Sequence, residues 1–480
     1  MHRFIFSFIF SIVFYLIGQS QQLVSATKIG SATKAQLISA TNIPLISYGV
    51  VYYKVLYTSV DAKGQKDTLS GLLAVPDNKT KRYPQLLYLH GTSDCKTCVP
   101  SHYGTNGGSE GQLGLIAAGL GFVSLLPDYV GMGEGRGFQT YVHAGTIVSS
   151  TMDMISAVST WCSDNQVAIN EQLFITGYSQ GGYASMAVHK YLEENPSIHE
   201  VTAASHMSGP YNLSHVMKGL ILSEESYNYP AYIPNTILGY QEVYGNLYND
   251  LSEVFKDDFI ADIQSYYNGS ISLTTLNIKL LLRLNTDFGK TVAKYMLKDA
   301  YLQEIESNPN HPSNLALREN DLFRWAPKAP TQLLYCKADD QVPYENSVTT
   351  RDTMLALGAA HLKATDVNSN FDHGQCFNPA LTNTILFFLP LQSITSETHD
   401  IASSVENVQI SYKSGYIDVL SEVPLIHLEI FDFYGQRLLS LPMEKDVSWQ
   451  LPIRYGSVKN VIVNVSDIQG NITSKKLLIY

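Results

Sequence analysis

Apolar and polar residues alternate from Tyr48 to Val60 and again from Thr68 to Val75, with Asp61-Ala62-Lys63-Gly64 between them. Period-two alternation flanking a turn predicts an antiparallel strand pair. Short, continuous apolar runs follow at Pro84 to Leu89, Gly121 to Leu126, Leu173 to Thr176, Val201 to Met207 and Gln332 to Cys336. Helical patterns separate them, and unbroken apolar runs suit strands covered on both faces. The repeated β–α order predicts an α/β fold with a mostly parallel sheet between helices. Between Gly209-Pro210 and Pro327 lie about 115 residues, far beyond an ordinary strand-to-strand connection. Helical periodicity at Leu251 to Tyr267, Leu273 to Leu284 and Val292 to Ile305 predicts a helical insertion over 210–327. A last helix is expected from Pro379 to Leu389.

After that helix the pattern changes. Residues 393–406 are rich in Ser, Thr and Glu and read as a linker. Over 407–480, strand-like runs at Leu425 to Ile430 and Val461 to Val465, with turns at 434–436 and 469–471, predict a small all-β sandwich. At the other end, the weakly basic Met1-His2-Arg3 precedes an apolar block over 4–18. Gly18-Gln19-Ser20 offers a cleavage site after it, and Val24-Ser25-Ala26 a second. Residues 1–20 therefore read as an export signal; the block is short for a spanning helix. The expected location is secreted or at the cell surface.

At 480 residues and 45% hydrophobic, the chain is long enough for one large core and a smaller module. A net charge of −11 leaves no basic footprint for nucleic acid. No G-x-G-x-x-G follows a strand and neither a His-Glu-x-x-His nor a P-loop occurs, so no cofactor and no metal is expected.

Candidate chemistry concentrates at Leu173-Phe-Ile-Thr-Gly-Tyr-Ser-Gln-Gly-Gly182, a G-x-S-x-G in which an apolar run ends at Gly177 and helix formers follow Gly182. A strand reversing into a helix around Ser179 lifts its hydroxyl from the carboxyl end of a sheet. Candidate partners lie downstream. Thr331 to Pro343 reads as a buried strand followed by Asp339 and Asp340, with Pro343 suited to a helix start. Leu362 to Val367 reads as another strand, and its loop carries Phe371-Asp372-His373-Gly374. A serine hydroxyl is a weak nucleophile unless an imidazole takes its proton and a carboxylate orients that imidazole. Ser179, Asp339 and His373 are the candidate catalytic residues, in the order Ser, Asp, His.

Together with Leu-His-Gly-Thr at 89–92, Pro-Asp-Tyr-Val-Gly-Met-Gly at 127–133 and Asp-Asp-Gln-Val-Pro at 339–343, these motifs make residues 45–392 resemble the α/β-hydrolase superfamily. Within it, the chain is similar to the secreted lipase and carboxylesterase branch. The resemblance implies a serine carboxylic-ester hydrolase acting through an acyl-enzyme on a small-molecule, lipid or polysaccharide ester. It selects Asp339 as the acid, with Asp340 the runner-up as a solvated or loop-fixing neighbour. It also implies that the backbone N–H groups of Thr92 and Gln180 form the oxyanion hole. His90 then reads as a structural hydrogen-bonding group, and Asp128 as an organiser of its loop. The insertion becomes a helical cap, and Tyr227, Tyr229, Tyr232, Tyr240, Tyr244 and Tyr248 either pack it or suit an amphipathic or aromatic ester. Two other readings stay open: a serine peptidase on the same fold, and a non-catalytic binding protein that keeps the shell.

The chain has five cysteines, so at least one is unpaired or bonds another molecule. Cys336 stands three residues before Asp339 and Cys376 three after His373, which makes them a candidate disulfide stapling the two loops. Cys95-x-x-Cys98 reads as a short-loop disulfide or as two separate thiols. The tail's Ile-Phe-Asp-Phe-Tyr-Gly-Gln-Arg at 430–437 and terminal Ser-Lys-Lys-Leu-Leu-Ile-Tyr resemble the C-terminal sorting domain of the type IX secretion system. That resemblance implies outer-membrane secretion machinery as a partner. A carbohydrate-binding module is the competing reading, with Trp449 as its one tryptophan.

Overall fold

The computed structural model describes residues 22–104, 110–396, 408–413, 415–432, 437–452, 459–467 and 472–479. The apolar block over 4–18 and most of the expected linker lie outside them. The chain divides into two compact units, Met1–Glu397 and Thr398–Tyr480.

In the first unit, β1 (Leu23–Ala32), α1 (Lys34–Thr41), β2 (Val50–Val60), β3 (Lys66–Pro76) and β4 (Lys81–Leu89) come first. They are followed by α2 (Gly111–Gly119), β5 (Val123–Pro127), α3 (Ala144–Asp164), β6 (Ile169–Tyr178), α4 (Gln180–Glu194) and β7 (Ala203–Met207). The insertion contributes α5 (Lys218–Leu222), α6 (Tyr232–Tyr244), α7 (Asp257–Tyr267), α8 (Leu273–Phe288), α9 (Asp299–Ser307) and α10 (Pro312–Glu319). The sheet resumes with β8 (Thr331–Tyr335), α11 (Glu345–Ala356), β9 (Leu362–Asp366), α12 (His373–Phe388) and β10 (Thr395–Ser396).

The strand order is β1-β2-β3-β5-β4-β6-β7-β8-β9, with β10 on β4. From β5 to β9 every neighbouring pair is parallel, while β1, β2 and β3 are antiparallel. This is the α/β architecture the apolar runs predict. Val55, Leu87, Leu125 and Ile175 pack against α3 and α4 in one core, while Leu86, Phe122, Leu126 and Phe174 pack with α2 and Phe388 of α12 in another. Both sheet faces are therefore dry, and burial of this kind is the main favourable term of folding. The insertion has a core of its own, with Phe255, Phe259, Ile263, Leu276, Leu280, Leu284 and Met296 inside.

Two boundaries differ from expectation, the start of the linker and the start of the last helix. Thr395 and Ser396, assigned to the linker, pair with Arg82 and Lys81 and extend the sheet; backbone pairing outweighs a polar composition there. Val24-Ser25-Ala26 lies inside β1, where Ser25 and Ala26 pair with Leu56 and Val55, so only the earlier cleavage site leaves that strand whole. The last helix starts at His373, before Pro379, because Asp372 and Gln375 form a capping box. Pro379 then sits inside α12. In the second unit, β11 (Gln409–Lys413), β12 (Tyr416–Asp432), β13 (Arg437–Pro452), β14 (Lys459–Asp467) and β15 (Ile472–Ile479) are all antiparallel. They form one hydrogen-bonded sheet. The register shift between Leu420 and Leu425 lets the long β12 fold around a core of Ile417, Val419, Leu428, Ile430 and Val463.

Candidate active site

β6 stops at Tyr178 and α4 begins at Gln180, so Ser179 alone makes the turn. Its backbone sits at φ 60°, ψ −122°, a strained conformation for a residue with a Cβ. Its N–H donates to the Met207 carbonyl of β7 at 2.9 Å. The flanking glycines are required by contact. A Cβ on Gly177 would lie 2.2 Å from the Gly181 oxygen, one on Gly181 2.0 Å from the Leu89 oxygen, and one on Gly182 2.3 Å from the Met207 oxygen. The elbow thus fits only because these positions carry no side chain.

The loops after β8 and β9 bring Asp339 and His373 together. His373 Nδ1 and Asp339 Oδ2 are 2.7 Å apart, and both side chains are buried. The other carboxylate oxygen, Oδ1, accepts the N–H groups of Gln341 and Val342 at 3.0 and 2.8 Å. Asp339 therefore orients the ring while its own loop fixes it. Asp340 instead accepts the His373 backbone N–H at 3.2 Å. Cys336 and Cys376 are joined in a disulfide, as are Cys95 and Cys98; Cys162 is a free, buried thiol. Burial pushes the Cys162 thiol up to about 12.

Among the described residues, the buried His373 Nε2 has no hydrogen-bond partner, so it makes no bond to the Ser179 hydroxyl. Catalytic hydrogen bonds often tighten only once substrate is bound. The structure thus joins Asp339 to His373, and places Ser179 on the neighbouring elbow without a direct bond.

The loop after β4 faces the start of α4. Amides in the first turn of a helix, that of Gln180 among them, have no helical acceptor and favour negative charge. Across from them, Gly91 N–H donates to Glu110 at 3.0 Å, and Tyr88 Oη donates to the same carboxylate at 2.9 Å. The Thr92 hydroxyl shares a hydrogen bond with Tyr141 Oη at 3.0 Å. His90 stacks on Tyr129, 4.1 Å between ring centres, and its Nδ1 lies 2.8 Å from the Gly91 carbonyl, which is a structural role. Asp128 accepts the Ser70 hydroxyl at 2.6 Å and the Ser101 N–H at 3.0 Å, holding its loop to β3.

Ser179 and Gln180 open on a cavity with an empty volume of about 1010 Å³, its mouth included. Its wall is mostly apolar, with Leu213, Met217, Ile221, Ile233, Ile237 and Leu297 from the insertion. Tyr227, Tyr232 and Tyr240 line it, whereas Tyr229 stacks on Tyr232 and Tyr244 packs on His143. Burial raises the hydroxyl of Tyr141 to about 12 and those of Tyr227, Tyr232 and Tyr240 well above the ordinary value, so all four stay neutral donors.

Several contributors escape sequence reading. Glu110, Tyr141 and Gln341, whose side chain accepts Tyr232 Oη at 2.7 Å, act through long-range contacts with no fixed spacing. Tyr178, whose hydroxyl donates to the His373 carbonyl, occupies the first variable position of the elbow motif. That adjacency was the available signal.

No protein-family model and no curated protein matches this chain. Solved structures do. A protein assigned as a hydrolase from Legionella pneumophila shares 21% identity over 77% of this chain and 98% of that one, with a TM-score of 0.68. The rice cell wall degrading esterase LipA from Xanthomonas oryzae shares 22% over 76% and 96%, with a TM-score of 0.64. Candida antarctica lipase A in its closed state shares 12% over 77% and 81%, with a TM-score of 0.58. The chain has the fold of these hydrolases.

Proposed function

We propose that the protein is a secreted serine hydrolase that cleaves carboxylic esters, with its larger unit an α/β-hydrolase catalytic domain and the insertion its cap. The observation that carries this reading is the buried His373–Asp339 pair, 2.7 Å apart, on loops beside a strained serine elbow that opens into an apolar cavity. Ser179 Oγ attacks the ester carbonyl carbon and its proton passes to His373 Nε2. The Thr92 and Gln180 N–H groups hold the oxyanion, and Asp339 stabilises the imidazolium. Collapse of the intermediate breaks the bond to the alcohol, which leaves with the proton from Nε2. Water, deprotonated by the same nitrogen, then releases the acid.

The apolar cavity favours an ester with a hydrocarbon-rich acyl group over a peptide, because few groups in its wall are free to pair with a peptide backbone. The fold shared with an esterase and a lipase supports the same class. Hydrolysis of p-nitrophenyl acyl esters beside a peptide amide tests it. Ester turnover that falls by roughly six decades in kcat in Ser179→Ala is expected, and turnover of the amide alone would overturn it.

Two disulfides support an oxidising location, in keeping with an export signal over 1–20. We assign the tail a sorting role at the outer membrane, resting on its resemblance and on its separation as a compact unit. Fractionation of cells expressing a chain ending at residue 396 tests it, and unchanged export would overturn it.

A further inference from the structure

Glu110 stands immediately before α2, yet its side chain does not cap that helix. It reaches instead to the loop after β4. Its Oε1 and Oε2 accept the Gly91 N–H at 3.1 and 3.0 Å, and Oε2 also accepts the Tyr88 hydroxyl at 2.9 Å. The residue is half-buried, and among the described residues its partners are these two neutral donors, with no cation. Taking a carboxylate partly out of water without a counter-ion is costly, and its own helix gains no cap in return.

The two peptides that meet at Gly91 give the placement a reason. The His90–Gly91 peptide is held at both ends, its N–H by Glu110 and its carbonyl by the Tyr129 hydroxyl at 3.0 Å. The described residues contain no cis peptide, so N–H and C=O point opposite ways in each unit. In the next unit the Gly91 carbonyl lies 2.8 Å from His90 Nδ1, which turns the Thr92 N–H away from that ring. Among the described residues this N–H has no acceptor. The loop lies directly on the elbow. A Cβ on Gly91 would stand 3.3 Å from the Tyr178 oxygen, and one on Gly181 2.9 Å from the His90 oxygen. The Thr92 hydroxyl meets Tyr141, which lines the same cavity as Ser179 and Gln180.

We propose that Glu110 is a positioning residue for the oxyanion hole. By claiming the Gly91 N–H it fixes the His90–Gly91 peptide, and so leaves the following amide, the Thr92 N–H, aimed at the oxyanion beside the Gln180 N–H. This rests on the ester-hydrolase reading and adds to it the group that holds one of its donors in place. A preorganised donor needs no rearrangement when charge develops, and that advantage is lost if the peptide carrying it rocks. The role is geometric, because the Glu110 charge itself opposes a negative charge nearby. An uncharged acceptor of the same shape should therefore serve. Glutamine is such a group, since its oxygen can accept the Gly91 N–H while its nitrogen donates to Tyr88 Oη.

The test compares the full chain with Glu110→Ala and Glu110→Gln, using p-nitrophenyl butyrate as substrate and an alkyl trifluoromethyl ketone as inhibitor. Ser179 Oγ adds to the ketone carbon, its proton passes to His373, and the adduct's oxygen takes the charge that the ester intermediate would carry. Ki and KM do not depend on how much of a variant is folded, so partial misfolding does not shield the proposal. Glu110→Ala should raise the ketone Ki and lower kcat by on the order of 10², with KM within about threefold of wild type. Glu110→Gln should bring Ki and kcat back to within about threefold. An unchanged Ki in Glu110→Ala overturns the proposal, as does a KM that rises in step with Ki. A Gln variant as impaired as the Ala variant overturns it too. A wild type that hydrolyses no ester is a separate result, which strikes the ester-hydrolase reading itself and this proposal with it.

Discussion

Tyr178 Oη donates to the backbone carbonyl of His373, and the two rings lie 4.9 Å apart. The residue before the candidate nucleophile thus holds the residue that would take its proton. The strand end and the base loop are coupled by one phenol, which is itself mostly buried. Tyr178→Phe removes that donor and keeps the ring. It should lower kcat by about tenfold with KM little changed, because orientation of the base is lost while the cavity stays. Steady-state kinetics on a short acyl ester measures it, and an unchanged kcat would show that the bond is only structural.

The two neighbouring aspartates divide their work. Asp339 meets the His373 ring and Asp340 its backbone N–H. Asp339→Asn should cost on the order of 10⁴ in kcat, by favouring the wrong imidazole tautomer. Asp340→Asn removes charge from one backbone bond and should cost less than about tenfold. The reverse ranking would transfer the acid role to Asp340.

Local backbone necessity and two-sided burial leave marks in a sequence, and long-range contacts do not. The elbow was legible because its glycines are local necessities: added Cβ atoms at 177, 181 and 182 would strike backbone oxygens. The parallel core strands were legible because burial on both faces demands unbroken apolar runs. β1 leaves no such mark, because Leu23–Ala32 is an edge strand with half its residues exposed, and its partner β2 supplies the pairing. α6 was hidden as a crowd of tyrosines, with Pro234 in its first turn masking the helical start.

The Cys336–Cys376 bridge closes a segment with a separation of 40 residues between the acid and base loops. On chain-entropy grounds it should contribute about 4 kcal/mol, and the double serine variant should unfold earlier in denaturant by that amount. It should also lose activity before global unfolding, since both loops carry candidate site residues. Denaturant titration followed by fluorescence and by ester turnover separates the two effects. Coincident curves at unchanged stability would show that the bridge does not staple the two loops.

His143 caps α3 by accepting the Thr146 N–H on its Nδ1 at 3.2 Å. Burial lowers its pKa to about 4. The unfolded chain therefore binds a proton that the folded chain refuses between about pH 6.5 and 4. The stability from this group is complete above the unfolded value and falls by about 3 kcal/mol as pH drops through that window. His143→Asn keeps a capping acceptor that does not titrate there, so its stability should be flatter from pH 7 to 4. Thermal melts across that range decide it, and parallel curves for both proteins would contradict the assignment.

If its surroundings activate Ser179, active-site labelling detects it. The folded protein, treated with a fluorophosphonate and mapped by peptide mass spectrometry, should carry one adduct, on Ser179. The adduct should vanish in Ser179→Ala and form far more slowly in His373→Ala. A native protein that takes no label, or takes it on another serine such as Ser93 or Ser185, would show that Ser179 is not the activated nucleophile.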